Sequence, residues 1–92
     1  MKKAARHWCL YILRCRDGSF YTGVTVDLKK RLEKHNAGRG AKYTRGRRPL
    51  KLVYIESAPT ERTARCRERE IKSWRRKKKA ALINGFTPKS TF

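Results

Sequence analysis

Acidic residues are scarce in this sequence. The 92 residues contain only seven aspartates and glutamates against 26 lysines and arginines, which leaves a formal charge of +19 at pH 7. A chain so charged repels itself and attracts polyanions, so the partners to consider are nucleic acid, an anionic membrane and an acidic protein. Because so few acids balance the basic runs, we interpret those runs as phosphate-binding surface rather than as an ordinary solvated face.

Long hydrophobic runs and paired cysteines are also absent. No apolar run approaches the roughly 18 residues that span a bilayer, and the basic residues 1–7 precede a short alternating pattern instead of the apolar core of a signal peptide. We therefore expect a cytoplasmic protein without membrane contact. Cys9, Cys15 and Cys66 include no Cys-x-x-Cys pair, so the sequence predicts neither a disulfide framework nor a zinc site, and we expect these thiols to be buried.

The strongest structural signal is an Asp17-Gly18 turn between two runs rich in β-branched and aromatic residues. A two-residue turn would place Tyr11 and Tyr21 on opposite faces of the hairpin, because side chains alternate along a strand. A three-residue loop over 16–18 would place both tyrosines on one face and pair Tyr11 with Gly23. We predict the three-residue loop, because it explains a glycine inside a strand: Gly23 would leave space opposite Tyr11 for a phosphate or a water.

The rest of the chain predicts an α+β domain, a three-stranded antiparallel sheet flanked by helices in the order β-β-α-β-α-α. Thr25 or Asp27 can cap the first helix. The elements after the hairpin are this helix over 28–37, a flexible cationic loop over 38–49, a third strand over 50–56 and a helical region over 61–83, which is one long helix or two. We expect a single domain over 8–84, with a flexible basic N-terminus over 1–7 and a flexible tail over 85–92.

The residues that could carry chemistry resemble, in their order, those of the GIY-YIG nuclease superfamily. Leu10-Tyr11-Ile12 stands where the family has Gly-Ile-Tyr, and reading Cys9-Leu10-Tyr11 as the first triplet places the family's tyrosine at Tyr11. Tyr21-Thr22-Gly23 stands where the family has Tyr-Ile-Gly. Arg31, His35 and Glu68 then follow at family-like positions.

The stretch over 8–83 is similar to the small stand-alone bacterial branch of the superfamily, the UPF0213 proteins. The resemblance implies an endonuclease that hydrolyses the phosphodiester bonds of DNA with Mg²⁺ or Mn²⁺ as cofactor. In that family the last helices usually separate near position 75 at a serine or threonine cap. Arg75 occupies that place here, which leaves one long helix or two as open alternatives.

By resemblance, four of these residues receive roles. Tyr11 would be the base that deprotonates water, Tyr21 would orient the water or the base, Arg31 would contact the scissile phosphate, and His35 would hydrogen-bond a tyrosine or the water. A phenol with a pKa of about 10 is a poor base unless nearby cations favour its phenolate, and this chain has cations in excess. The plainer alternatives are that the tyrosines only pack in the sheet and that His35 only complements its helix dipole.

Two glutamates compete for the metal. At about 100° per residue, Glu68 lies on the inward face of its helix near Ile71, whereas Glu70 points towards solvent. An inward carboxylate needs a partner, and a divalent cation is a suitable one, so we assign the metal to Glu68. The alternative is a salt bridge from Glu68 to Arg65 or Lys72.

Further basic and polar residues are predicted to bind the phosphates of DNA. They lie in the cationic loop and the last helices, at Lys42, Thr44, Arg45, Arg47, Arg48, Lys72, Arg76 and Lys79. The predicted function is a monomeric, metal-dependent endonuclease acting on single-stranded, duplex or branched DNA, with no small-molecule cofactor. The alternatives are a nucleic-acid-binding module with a vestigial nuclease site and, less favoured, a basic RNA- or ribosome-associated protein.

Overall fold

Three antiparallel strands form one sheet in the computed structural model, which describes residues 7–85. The strands are β1 (Trp8–Arg14), β2 (Phe20–Thr25) and β3 (Lys51–Ala58), and they lie in the order β2-β1-β3. The helices are α1 (Leu28–Asn36), α2 (Lys42–Arg45), α3 (Glu61–Lys72) and α4 (Arg76–Asn84). The predicted α+β class with a three-stranded antiparallel sheet is confirmed. The predicted flexible ends lie almost entirely outside the described residues.

The hairpin has the three-residue loop that the sequence predicts. Tyr11 pairs with Gly23 and Leu13 with Tyr21 across the strands. The Cys15 amide donates to the Ser19 carbonyl at 2.8 Å, which closes the loop over 16–18. Gly18 has a φ of +86°, a left-handed conformation that favours glycine. Both tyrosines therefore lie on the same face of the sheet, as predicted.

The central strand β1 is buried on both faces, which separates two small cores. Tyr11 and Leu13 point towards α1, and Leu10 and Ile12 point towards α3 and α4, where they pack on Ile71. Each fully buried side chain of this size contributes about 1.5–3 kcal/mol to stability. Strand β1 therefore anchors the domain and fixes the orientation of Tyr11.

Of the two predicted caps of helix α1, Asp27 and not Thr25 occupies the N-cap position. The Asp27 carboxylate accepts a hydrogen bond from the Lys30 amide at 3.1 Å, whereas the Thr25 hydroxyl accepts from the amide of Asp27 itself. At the other end, the Asn36 side chain accepts from the Leu50 amide at 3.0 Å and donates to the Leu50 carbonyl at 3.4 Å. This pair of bonds fixes the end of α1 against the start of β3.

The prediction of an irregular, flexible loop over 38–49 is wrong for Lys42–Arg45, which forms the short helix α2. Arginine side chains hold this segment by donating to backbone carbonyls: Arg45 to Gly40 at 3.3 Å, Arg48 to Arg45 at 3.1 Å and Arg47 to Tyr43 at 2.8 Å. The sequence pattern missed α2 because a single helical turn shows no apolar periodicity.

The helical region after β3 consists of two helices, which settles the alternative left open by the sequence. Helix α3 ends at Lys72 and is followed by its C-cap Ser73, whose hydroxyl donates to the Glu70 carbonyl at 2.6 Å. Arg75 precedes α4 with an extended backbone and makes no side-chain cap. Between them, Trp74 packs into the core of Leu10, Ile12 and Ile71, so tertiary packing accompanies the break in place of a cap.

The three thiols differ in exposure. All are free cysteines, but only Cys15 is buried, Cys9 is half-buried and Cys66 is exposed, so the expectation of burial is wrong for Cys66. Within residues 7–85, no helix has both the length and the apolar character needed to cross a bilayer.

Candidate active site

The Tyr11 hydroxyl lies at the centre of a hydrogen-bonded group formed by β1 and α1. It is 3.0 Å from Nε2 of His35 and accepts a hydrogen bond from Nε of Arg31 at 3.3 Å. Tyr11 and His35 have no exposed surface. Arg31 and His35 lie on one face of α1, turned towards the sheet, as the sequence predicts. His35 is predicted to hydrogen-bond a tyrosine or the attacking water, and here it contacts a tyrosine.

The contacts of His35 define its tautomer. Its Nδ1 lies 2.9 Å from Oγ1 of Thr44, and that hydroxyl also lies 2.9 Å from the carbonyl oxygen of Ala41. A carbonyl only accepts, so Thr44 donates to Ala41 and accepts from the Nδ1–H of His35. Nε2 is then a free acceptor, and Tyr11 donates its proton to it. The assignment follows from the network of partners.

The buried position of Thr44 corrects one prediction. Thr44 has no exposed surface, so it is not a phosphate contact. It orients the imidazole of His35 instead. No sequence pattern indicated this role, because Thr44 and most of the eight residues between it and His35 belong to the predicted loop over 38–49.

Burial shifts the pKa values of His35 and Tyr11 in the directions that disfavour their charged forms. It lowers the pKa of His35 to about 4, with the positive charges of Arg31 and Lys34 acting in the same direction, so the ring is neutral at pH 7. Burial also raises the pKa of Tyr11 to about 12, although the hydrogen bond from Arg31 opposes this. The expectation that cations would favour the phenolate is therefore wrong for Tyr11 in this conformation, because desolvation outweighs them.

Two glycines provide room for the buried rings. A Cβ on Gly23 would lie 2.6 Å from the Tyr11 hydroxyl and 3.1 Å from the Tyr21 ring. The predicted open space opposite Tyr11 is thus wrong, since the phenol itself fills it. A Cβ on Gly40 would overlap the His35 imidazole. The sequence analysis gave Gly40 no role, because only the tertiary approach of α1 to the loop creates the need for glycine there.

Tyr21 connects the buried group with a cavity at the edge of the sheet. Its ring centroid lies 5.3 Å from that of His35 and 6.4 Å from that of Tyr11. On its other side it stacks on Tyr43, with centroids 6.1 Å apart and planes inclined by 23°. The cavity has a volume of about 310 Å³ and is lined by Phe20, Tyr21, Thr22, Tyr43, Lys72 and Lys79.

Glu68 points inward, as predicted, and is paired with cations. Its side chain is 15% exposed, and its carboxylate lies 3.1 Å from Nζ of Lys72 and 3.6 Å from Nη1 of Arg65. The salt-bridge alternative therefore describes the present contacts. Glu70 is 55% exposed and pairs with Arg67 at 3.1 Å, so it lies on the solvent side, as predicted.

Lys72 links the glutamate to the tyrosines. Its Nζ pairs with Glu68 and lies 6.0 Å from the centre of the Tyr21 ring. No group of three or more His, Cys, Asp or Glu side chains among the described residues could enclose a metal ion. Mg²⁺ usually retains several waters and uses one or two carboxylates together with substrate phosphates. The single, largely buried carboxylate of Glu68 fits that coordination.

The predicted phosphate-binding residues divide into two groups. The arginines of the 38–49 loop hold backbone carbonyls, and Arg47 also pairs with Asp17 at 3.0 Å. Lys42, Lys72 and Arg76 are exposed, and the Arg76 guanidinium lies 4.3 Å from the centre of the Phe20 ring. Lys42 and Arg76 are therefore available to an anionic ligand, whereas the loop arginines and Lys72, which pairs with Glu68, are partly committed to other contacts.

The fold and the site define an α+β domain whose buried tyrosine is hydrogen-bonded to a histidine and an arginine. Residues 7–81 match the family described as the GIY-YIG catalytic domain. A UPF0213 protein of Bacillus pumilus is 56% identical over 73 residues, which cover 79% of this chain and 74% of the relative. A UPF0213 protein of Staphylococcus saprophyticus is 53% identical over 75 residues, which cover 82% of this chain and 92% of the relative.

Two solution NMR structures have a similar fold. The UPF0213 protein BH0048 from Bacillus halodurans is 46% identical with a TM-score of 0.56, covering 87% of this chain and 84% of that one. The protein EF2693 from E. faecalis is 38% identical with a TM-score of 0.60, covering 94% and 91%. The chain therefore belongs to the GIY-YIG nuclease family and, within it, to the UPF0213 proteins.

Proposed function

We propose that this protein is a metal-dependent endonuclease that hydrolyses phosphodiester bonds of DNA. Such a reaction needs an acceptor for the proton of the attacking water and positive charge near the phosphoryl oxygens. One observation carries the proposal: the Tyr11 hydroxyl is placed between an uncharged imidazole acceptor and a guanidinium donor.

The proton of Tyr11 has a direct path to His35. Transfer along the 3.0 Å hydrogen bond would leave a phenolate on Tyr11 and an imidazolium on His35. The guanidinium of Arg31 would stabilise the phenolate, and Thr44 would continue to accept from Nδ1–H. A phenolate formed in this way can accept a proton from water. Its formation is unfavourable in the present conformation, because the pKa is about 12 for Tyr11 and about 4 for His35.

Access to Tyr11 requires a side-chain movement, because the phenol has no exposed surface. Arg31 is the side chain best suited to move, since it is only half-buried and a phosphate oxygen would compete with Tyr11 for it. Tyr21, which lines the cavity, would then orient the water. These roles of Arg31 and Tyr21 agree with the sequence-based expectations.

Glu68 would hold a Mg²⁺ or Mn²⁺ ion. When bound, the ion would supply positive charge to the phosphate. Lys72 and Arg65 now neutralise the same carboxylate, and they would be free to contact phosphates once the ion took their place. Cytoplasmic location, a monomeric state and independence from small-molecule cofactors stay predictions.

A matched pair of variants tests the proposal. Labelled single-stranded, duplex and branched DNA is incubated with the protein and Mg²⁺, Mn²⁺ or a chelator. We expect metal-dependent cleavage that Glu68→Ala abolishes while DNA binding stays equal or becomes tighter, because a negative charge leaves an anion site. Glu70→Ala should still cut. The reverse pattern would show that the metal position is misassigned.

The second candidate function is a nucleic-acid-binding module with a vestigial site. The cation pairs of Glu68 and the complete burial of Tyr11 favour it. This candidate predicts tight binding of DNA or RNA and no cleavage with either metal. The same incubation, extended to RNA, therefore separates the two functions.

A further inference from the structure

The cavity beside Tyr21 combines flat aromatic surface with positive charge. Three aromatic residues, Phe20, Tyr21 and Tyr43, and two lysines, Lys72 and Lys79, contribute to its lining. No carboxylate lines it. Its volume of about 310 Å³ lies at the lower end of the range for small-ligand sites. A ligand that fits this chemistry is planar, aromatic and attached to negative charge.

Tyr43 is exposed in a way that packing does not explain. Within residues 7–85 it is the only large hydrophobic side chain with substantial exposure, at 40%. The guanidinium of Arg47 lies over its ring, 4.0 Å from the ring centre, and Tyr21 stacks beside it. The ring is therefore held in place, and a ligand that stacks on it takes the place of the Arg47 guanidinium. A rigid aromatic ring at the mouth of a cavity is suited to stacking on a ligand.

The cavity also borders the candidate active site. Tyr21 belongs to both, and Lys72 lines the cavity while pairing with Glu68. A nucleotide whose base entered the cavity would therefore place its phosphate near the groups assigned to phosphodiester chemistry. Within the described part of the chain, no further strand pairs with the edge strand β2 on this side of the sheet.

We propose that the cavity binds an unpaired nucleobase of single-stranded DNA. The base stacks on Tyr43 in place of the Arg47 guanidinium, and the neighbouring phosphates lie on Lys72 and Lys79. This inference rests on the proposed function, since it names the substrate class of the same site. A base in a duplex is already paired and stacked, and it reaches such a cavity only by leaving the helix at a cost of a few kcal/mol. The substrate is therefore a strand with an unpaired segment.

The wild-type protein provides the first test. Fluorescence anisotropy in the presence of a chelator measures binding of two dye-labelled 12-mers, one of ordinary single-stranded DNA and one built from abasic units with the same charge. Stacking contributes about 1–3 kcal/mol per base, so the ordinary strand should bind about 5- to 160-fold more tightly. Equal affinities would overturn the inference, because binding would then be electrostatic alone.

Variants of Tyr43 provide the second test. Tyr43→Ala should lower affinity for the ordinary strand to the abasic level and leave the affinity for blunt duplex unchanged, whereas Tyr43→Phe should keep the preference. Tyr43→Leu preserves apolar volume and replaces the alanine variant if that fails to fold. Lys42→Ala is the control for charge and should weaken both strands alike. A Tyr43→Ala variant that loses affinity equally for both strands would refute base stacking.

The outcome separates this inference from the proposed function. Binding is measured under chelation, so it does not depend on cleavage. If the protein cuts DNA but shows no base preference that depends on Tyr43, only the nucleobase site is rejected. A base preference that depends on Tyr43, without cleavage under any metal, would support the nucleobase site and reject the endonuclease.

Discussion

Replacing Thr44 with valine should destabilise the protein, because the change removes a hydroxyl while the side-chain volume stays nearly the same. Thr44 is buried, and its hydroxyl is the acceptor for Nδ1–H of His35. In the valine variant either this N–H stays unpaired or the ring changes tautomer and the Tyr11 hydroxyl loses its acceptor. The Ala41 carbonyl keeps its bonds from the amides of Thr44 and Arg45. Each alternative therefore leaves one buried donor unpaired.

An unpaired buried donor costs about 1–3 kcal/mol. For a domain of this size each kcal/mol lowers Tm by about 4–8 °C, so Thr44→Val should reduce both the free energy of unfolding in urea and Tm. Thr22→Val is the matched control. Thr22 is also buried, but its hydroxyl makes no hydrogen bond among the described residues, so we expect a change within about 0.5 kcal/mol.

Nitrogen-15 NMR of the His35 ring gives a second reading of the same change. The wild-type ring should show the Nδ1–H tautomer, and Thr44→Ser should retain it because serine keeps the hydroxyl. If Thr44→Val were as stable as the wild type, or if the wild-type ring carried its proton on Nε2, the inferred path from Tyr11 to His35 would be wrong.

Three further predictions concern glycine, pH and salt. Gly40→Ala should displace the His35 ring and destabilise the fold by about 1–3 kcal/mol in urea unfolding, whereas Gly46→Ala should be nearly neutral because nothing lies within 4 Å of its Cβ position. The free energy of unfolding should fall by about 3 kcal/mol as pH decreases from about 6.5 towards about 4, because His35 binds a proton in the unfolded state that it does not bind in the folded state. His35→Gln should weaken this pH dependence, and His7→Ala should not. DNA affinity should fall steeply between 50 and 200 mM salt, by about 1,000-fold or more if six or more phosphates are neutralised. Arg76→Ala should weaken binding to all sequences alike. An affinity that does not change with salt would contradict an electrostatic interface.

The hairpin and its register could be predicted from the sequence alone. An Asp17-Gly18 turn limits the loop to a few geometries, and Gly23 in a strand favours the one that places both tyrosines together. The inward direction of Glu68 also followed from local geometry, because the angle between residues on a helix is fixed. These features depend on short-range rules that a single chain segment obeys.

The tertiary structure alone decided the chemistry of the phenols. Local sequence identified Tyr11 and His35 as candidates, but the pKa of each depends on burial, which arises only when α1 closes over β1. The role of Thr44 and the need for Gly40 depend on the approach of the 38–49 segment to α1. Desolvation and close packing are properties of the assembled core. Periodicity and composition could therefore indicate which face of an element turns inward, but neither these contacts nor the protonation states that result from them.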